Sequence, residues 1–257
     1  MLLAVDIGNS SVALGVFDPE GNLTFQCRVE ASEGKSADEY AVLFHSLFAL
    51  RGVDPSAVDA CILSSVVPPV THAVSRAVES LVGCRPLIVG PGVKTGLNIR
   101  VDVQTQLGSD LVADAVAALS EFSAPMVVVN MGTVTTLSAI RRDGTLEGVV
   151  IAPGVRISMD ALARSGSELP DISVATPKHV VGKNTQDSMR SGVLYGHAAM
   201  LDGMISRIGE ELGEDELTVV CTGGLAETVL PYCRTESVYR PDLTLKGLYL
   251  IAQKNKR

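Results

Sequence analysis

Residues 2–5 and 13–17 are apolar runs that read as strands around a Gly-Asn-Ser turn. A second turn, Asp18-Pro19-Glu20-Gly21-Asn22, leads to another strand-like stretch at 23–29, so the chain opens as a three-strand meander. The period then changes. Ser36 and Glu39 have capping-box spacing, and Tyr40, Phe44, Leu47 and Phe48 recur on one helical face until Gly52. Residues 61–67 predict a buried strand, Val70, Val74, Ala77, Val78 and Leu81 a second amphipathic helix, and 86–89 a further strand. Strands alternate with helices, which is the pattern of an α/β fold. A long helix is predicted over 185–212, a strand over 217–221 and a last apolar helix over 243–252.

The opening pattern returns. Leu3-Ala4-Val5-Asp6-Ile7-Gly8-Asn9-Ser10 is echoed by Val127-Val128-Val129-Asn130-Met131-Gly132-Thr133-Val134. Each copy leads through a glycine turn to a second strand, an Asp/Gly turn and a third strand. Two copies of one α/β unit predict two similar lobes. Ser120 to Pro125 breaks a helix ahead of the second copy, which sets the expected domains at 1–119 and 120–257.

Composition narrows the function. The chain has 257 residues, nearly half of them apolar, enough for a sizeable core. No run approaches the roughly 18 apolar residues of a membrane span, and Asp6 interrupts the first run, so a cytoplasmic protein without membrane contact is expected. The five cysteines lack a C-x-x-C pair and read as reduced thiols. With a net charge of −8 and no basic cluster before Lys254, Lys256 and Arg257, nucleic acid is excluded as a partner.

A strand ending in Asp-x-Gly places a carboxylate where it can hold Mg²⁺ beside backbone N–H groups that can approach a phosphate. Asp6 and Gly8 fit that description, and so does an ordinary hairpin turn. The segment Gly132-Thr133-Val134-Thr135-Thr136 adds further donors and three hydroxyls at the matching point of the repeat. Gly223 and Gly224 follow a strand, where backbone passes close to a flat ligand or simply turns into a helix. Neither a G-x-x-x-x-G-K-[ST] loop nor a strand-borne G-x-G-x-x-G is present. Asp110, after Gly108 and Ser109, begins an apolar-periodic run. The N-terminus of that helix is expected to keep it ionised, either as a general base or as a cap. The four histidines have no ligand spacing, and Met189, Met200 and Met204 read as core.

Taken together these segments resemble the type III pantothenate kinases, of the acetate/sugar kinase, Hsp70 and actin superfamily. The resemblance rests on D-I-G-N-S at 6–10, A-D-E-Y at 37–40, S-S-V-V-P-P at 64–69, G-P-G-V-K-T-G-L-N-I at 90–99, G-S-D at 108–110, G-T-V-T-T at 132–136, A-P-G at 152–154, G-K-N-T at 182–185, S-G-V-L-Y-G at 191–196 and T-G-G at 222–224. It implies two tandem actin-like (ribonuclease H-like) domains, each a mixed sheet flanked by helices, with the active cleft between them. It also implies ATP-dependent phosphorylation of pantothenate, the first step of coenzyme A biosynthesis. Nucleotide binding is implied for Asp6, Ile7, Gly8, Asn9, Ser10, Ser11, Val12, Ala13, Thr133, Gly223 and Gly224, and pantothenate binding for Val101, Gly108, Ser109, Asp110, Leu111 and Thr185. Asp110 is implied as the base, Asp6 as a ligand of Mg²⁺ and Asn130 of a monovalent cation, K⁺ or NH₄⁺. Members are homodimers.

Five places depart from the family pattern, one of them its Asn-Pro, which is replaced at Val103-Gln104. Its Arg after the base is Leu111, its Tyr is Val101, the Asp opening its second hairpin is Asn130 and the Asp closing it is Ser138. Leu111 removes the charged fork for a substrate carboxylate, and Asn130 keeps an oxygen without its negative charge. The sequence therefore leaves a second reading, a paralogue that retains nucleotide binding and serves a regulatory or partner-binding role, and a third, a kinase for an alcohol without a carboxylate.

Overall fold

Val5 and Leu14 face each other across the first hairpin, and the same register carries through β1 (Leu2–Ile7), β2 (Ser11–Phe17) and β3 (Leu23–Glu30), an antiparallel meander. The structure is a computed structural model describing residues 1–166 and 169–256; Arg257 of the basic tail lies outside them. After α1 (Ala37–Leu50) the chain returns as β4 (Ala60–Ser65), parallel to β1, then α2 (Pro68–Val82) and β5 (Leu87–Ile88). The resulting order is β3-β2-β1-β4-β5. The capping box at α1 is formed: the Ser36 hydroxyl accepts from the Glu39 amide, and the Glu39 carboxylate accepts from Ser36 N–H at 2.7 Å. β4 stops at Ser65, short of the predicted 67, because Pro68 and Pro69 already open α2.

The second half repeats the order: α3 (Ser109–Glu121), β6 (Met126–Met131), β7 (Val134–Ile140), β8 (Leu146–Pro153), α4 (Val155–Ser165), α5 (Thr185–Leu212), β9 (Thr218–Thr222), α6 (Ala226–Val229), β10 (Val238–Tyr239) and α7 (Leu243–Lys254). Its sheet runs β8-β7-β6-β9-β10, the first sheet's order strand for strand. The repeat seen in sequence is thus a duplicated sheet.

By compactness the chain divides into two units. The first holds Met1–Leu97, Asp102–Ser120 and the chain from Asp242; the second holds Asn98–Val101 and Glu121–Pro241. This corrects the sequence division, which placed α7 with residues 120–257. α7 packs in the first unit, where Tyr249 stacks on Phe17 at 4.7 Å and Gly247 lies so close to the Ala113 backbone that any side chain would collide with it. Residues 98–101 join the second unit through Arg100 N–H to Leu146 O, 2.9 Å, and Leu146 N–H to Asn98 O, 2.9 Å.

In the first unit Leu3, Val5 and Ile7 pack with Tyr40, Phe44, Phe48, Val70 and Val74, and α7 covers the opposite sheet face, which carries Asp6. In the second, Val127, Val129, Met131 and Leu137 pack with Met159 of α4 and Met189, Leu194 and Leu201 of α5. Asn130 lies on the other face. Among the described residues no helix is long and apolar enough to cross a membrane.

Candidate active site

Four residues of the first sheet stand side by side across its strands. Arg28 pairs with Ala13, Ala13 with Asp6, and Asp6 with Ser64, so all four project from the same face. Asp6, next to last in β1, stands in the middle of this row. Gly8 closes the turn beyond it, its N–H donating to Ser11 O at 2.9 Å. The outward part of the turn is therefore Asn9 and Ser10, both exposed. Ile7, Val12 and Ala13, expected to contact nucleotide, have their side chains in the core, and only their backbone borders the turn. Ser11 is half-buried and accepts a hydrogen bond from Arg28 at 3.3 Å.

The first turn of α3 completes this site. Ser109 Oγ lies 2.8 Å from Ser64 Oγ, and it accepts from Ser65 N–H at 3.1 Å. Asp110 folds its carboxylate back over Gly108, so a Cβ at 108 would push the Asp110 carboxylate out of its place. One oxygen of Asp6, Oδ1, and one of Asp110, also Oδ1, are buried without a hydrogen-bond partner. Burial, followed by the charge of Asp110, pushes Asp6 up to about 7, while a bond from Ser64 and the charge of Arg28 pull the other way. Burial also raises Asp110. The backbone N–H bonds at the helix start lower it, as expected of a helix N-terminus, but desolvation outweighs them. Two desolvated carboxyls with orphaned oxygens suit a divalent cation and its phosphate ligands. Leu111, next in the turn, is buried.

The second unit builds the corresponding row without charge: Ile151, Thr136, Asn130 and Thr222 stand in register across β8, β7, β6 and β9. Thr136 Oγ1 is buried and unpartnered. The three hydroxyls of this hairpin divide by position. Thr133 is half-exposed in the turn, Thr136 faces the side of Asn130, and Thr135 points into the core, where its Oγ1 lies 2.9 Å from Nε2 of the buried His197. Thr135 is thus removed from the set expected to meet phosphates. Gly132 N–H closes the turn onto Val134 O at 3.1 Å, and Gly154 packs flush against the Gly132 and Thr133 carbonyls.

Gly223 and Gly224 also differ. At φ +99° Gly223 lies against the Met131 backbone, with 2.5 Å from an added Cβ to the Met131 carbonyl, whereas nothing lies within 4 Å of the same position on Gly224. Gly223 serves packing, and Gly224 presents the open side. Thr185 is exposed at the start of α5, whose cap is the neighbouring Asn184, accepting from Asp187 N–H at 2.9 Å. Val101 is half-buried and follows Arg100, whose N–H bonds the Leu146 carbonyl. Sequence reading passed over Arg28 and Ser64. Their only signal is strand register, which becomes visible once β1 is paired with β2 and β4.

Two mixed five-stranded sheets of identical order, each with flanking helices, define a duplicated α/β fold. The solved structure of a Baf family transcriptional activator from Campylobacter jejuni superposes with a TM-score of 0.63 at 16% identity over 98% of both chains. The ROK hexokinase from Thermus thermophilus does so with 0.54 at 12% identity over 99% of each. At these identities the likeness concerns the fold. The type III pantothenate kinase family model matches residues 2–207, and a type III pantothenate kinase of Shouchella clausii is 43% identical over 256 residues, covering both chains completely. The chain belongs to the type III pantothenate kinase family.

Proposed function

We propose that this protein transfers the γ-phosphoryl group of ATP to the primary hydroxyl of pantothenate, giving 4′-phosphopantothenate and ADP for coenzyme A biosynthesis. The observation that carries the reading is the pair of half-buried carboxyls, Asp6 and Asp110, each with one buried, unpartnered oxygen, brought to one end of the first sheet by β1 and α3. Asp110 takes the hydroxyl proton as the alcohol oxygen bonds to the γ-phosphorus and the bond from that phosphorus to the β-γ bridging oxygen breaks. A carboxyl raised by desolvation is a stronger base once ionised, which suits this role. In the first unit the exposed Asn9 and Ser10 and the Arg28 guanidinium are the groups suited to phosphate; in the second, taken by itself, Thr133 and the open side of Gly224 are the groups suited to a nucleotide. Asp6 is the ligand for Mg²⁺, which when bound neutralises phosphate charge. In the first unit Leu111, next to Asp110 in the same turn, borders the acceptor.

For the monovalent cation, Asn130 and Thr136 offer neutral oxygens only, so a site there is weak. A homodimer in the cytoplasm belongs to the same reading. The exposed apolar side chains Ile151 (68%), Val180 (60%) and Val181 (78%) of the second unit support a covered surface. Sedimentation of wild type against an Ile151→Asp, Val181→Asp double variant tests the dimer, which the charges are expected to split.

The decisive assay combines purified protein with ATP, Mg²⁺ and pantothenate and follows phosphopantothenate. Wild type is expected to turn over, and Asp110→Asn to lose about 100-fold or more in kcat with its fold intact. No product from wild type, or an undiminished Asp110→Asn, removes the reading.

A further inference from the structure

Ser64 is completely buried although it is polar, and it stands in register with Asp6 across parallel strands. Its hydroxyl projects from the same sheet face as the Asp6 carboxylate, and its oxygen lies 2.8 Å from Ser109 Oγ. A serine hydroxyl carries one hydrogen. Ser109 Oγ accepts from the Ser65 amide at 3.1 Å and lies 3.3 Å from the Ser65 carbonyl, so its one hydrogen is divided between that carbonyl and Ser64. These contacts fasten Ser64 and Ser65, at the end of β4 and beside Asp6, to the first residue of α3. Chains of this kind strengthen one another in a desolvated setting.

We propose that Ser64 and Ser109 are positioning residues for phosphoryl transfer, tying the end of β1 that bears Asp6 to the turn of α3 that bears Asp110 and so fixing the separation of the two carboxyls. The inference rests on the reading of Asp110 as base. Ordinary strand-to-helix fastening is done by the neighbour instead: Ser65 Oγ lies 2.6 Å from Thr71 Oγ1 and accepts from Val67 N–H at 3.1 Å, both at the start of α2. Adjacent serines thus divide the work, one holding a helix to the sheet and the other holding the reacting groups. A displacement of about 1 Å at a reacting centre costs on the order of 100-fold in rate, so loss of this link registers in kcat.

The test uses the full chain with ATP, Mg²⁺ and pantothenate. Ser64→Ala and Ser109→Ala are each expected to lower kcat by about tenfold or more, with both KM values within about threefold of wild type. The double variant is expected to fall no further than the weaker single, because the two hydroxyls act as one link. Ser65→Ala is expected to melt earlier while keeping kcat within about twofold. Wild-type kcat in Ser64→Ala, multiplied losses in the double variant, or an equal kcat loss in Ser65→Ala each overturns the proposal. If Ser64→Ala does not fold, the half-buried Ser109→Ala carries the comparison against Ser65→Ala. Failure of the functional reading is separately visible, as an inactive wild type or an active Asp110→Asn.

Discussion

His197 Nε2 and Thr135 Oγ1 meet at 2.9 Å inside the second unit, joining α5 to the glycine hairpin. Burial lowers the His197 pKa below its ordinary value. The unfolded chain takes up a proton near about 6.5 that the folded imidazole resists, so the fold loses stability as pH drops below that value. Thermal melts from pH 7.5 to 5 are expected to fall less steeply for His197→Gln than for wild type, and parallel curves would refute the assignment. Thr135→Val, which strands a buried ring nitrogen, is expected to cost about 1–3 kcal/mol at pH 7.5.

Asp6 shows the opposite sign. Raised to about 7 by burial, it contributes stability below its unfolded range near 4, and that contribution is lost as pH climbs through 7. In metal-free protein at pH 8, Asp6→Asn is expected to raise Tm, with a ceiling of about 4 kcal/mol, while turnover disappears. A variant that is inactive and also less stable at that pH contradicts the desolvation account.

Arg28 is the cation on the charged row of the first sheet. Arg28→Ala is expected to raise the KM for ATP several-fold and to leave the KM for pantothenate within about twofold, losing roughly 1 kcal/mol of a charge-assisted contact. Steady-state kinetics with each substrate varied in turn settles it. An unchanged KM for ATP returns Arg28 to the role of a solvated surface residue.

Asn130 predicts a dependence on salt composition. Turnover is expected to differ less than about threefold between K⁺ and a bulky organic cation such as tetramethylammonium, because amide and hydroxyl oxygens bind a monovalent ion weakly without a carboxylate. Asn130→Asp is expected to introduce saturable activation by K⁺. Strong K⁺ activation of wild type speaks against this.

Much of the scaffold is readable locally. Ser36 and Glu39 announce α1 through their own side chains, and Asn184 and Gly213 bracket α5. α4 escapes because it starts after Pro153-Gly154 without a side-chain cap, and the glycine is needed only where the Thr133 carbonyl presses on it. That requirement is tertiary. β10, two residues long, is too short to carry a period. At the site, the glycine turns and Asp110 announce themselves by spacing. Ser64 and Arg28 acquire meaning only through pairing between segments tens of residues apart. The inward turn of Thr135 follows from strand alternation, which separates it from Thr136, yet which face is core is decided by α5. The packing of α7 likewise depends on Gly247 meeting Ala113, a contact between distant segments.

The matching sheets carry a consequence for how this chain tolerates change. One copy concentrates ionisable groups on its four-strand row, while its twin fills the same places with Ile151, Thr136, Asn130 and Thr222. Moving acidity from one copy to the other leaves the architecture intact and alters only where charge resides, so such a molecule can shed or acquire an ion requirement through a single codon.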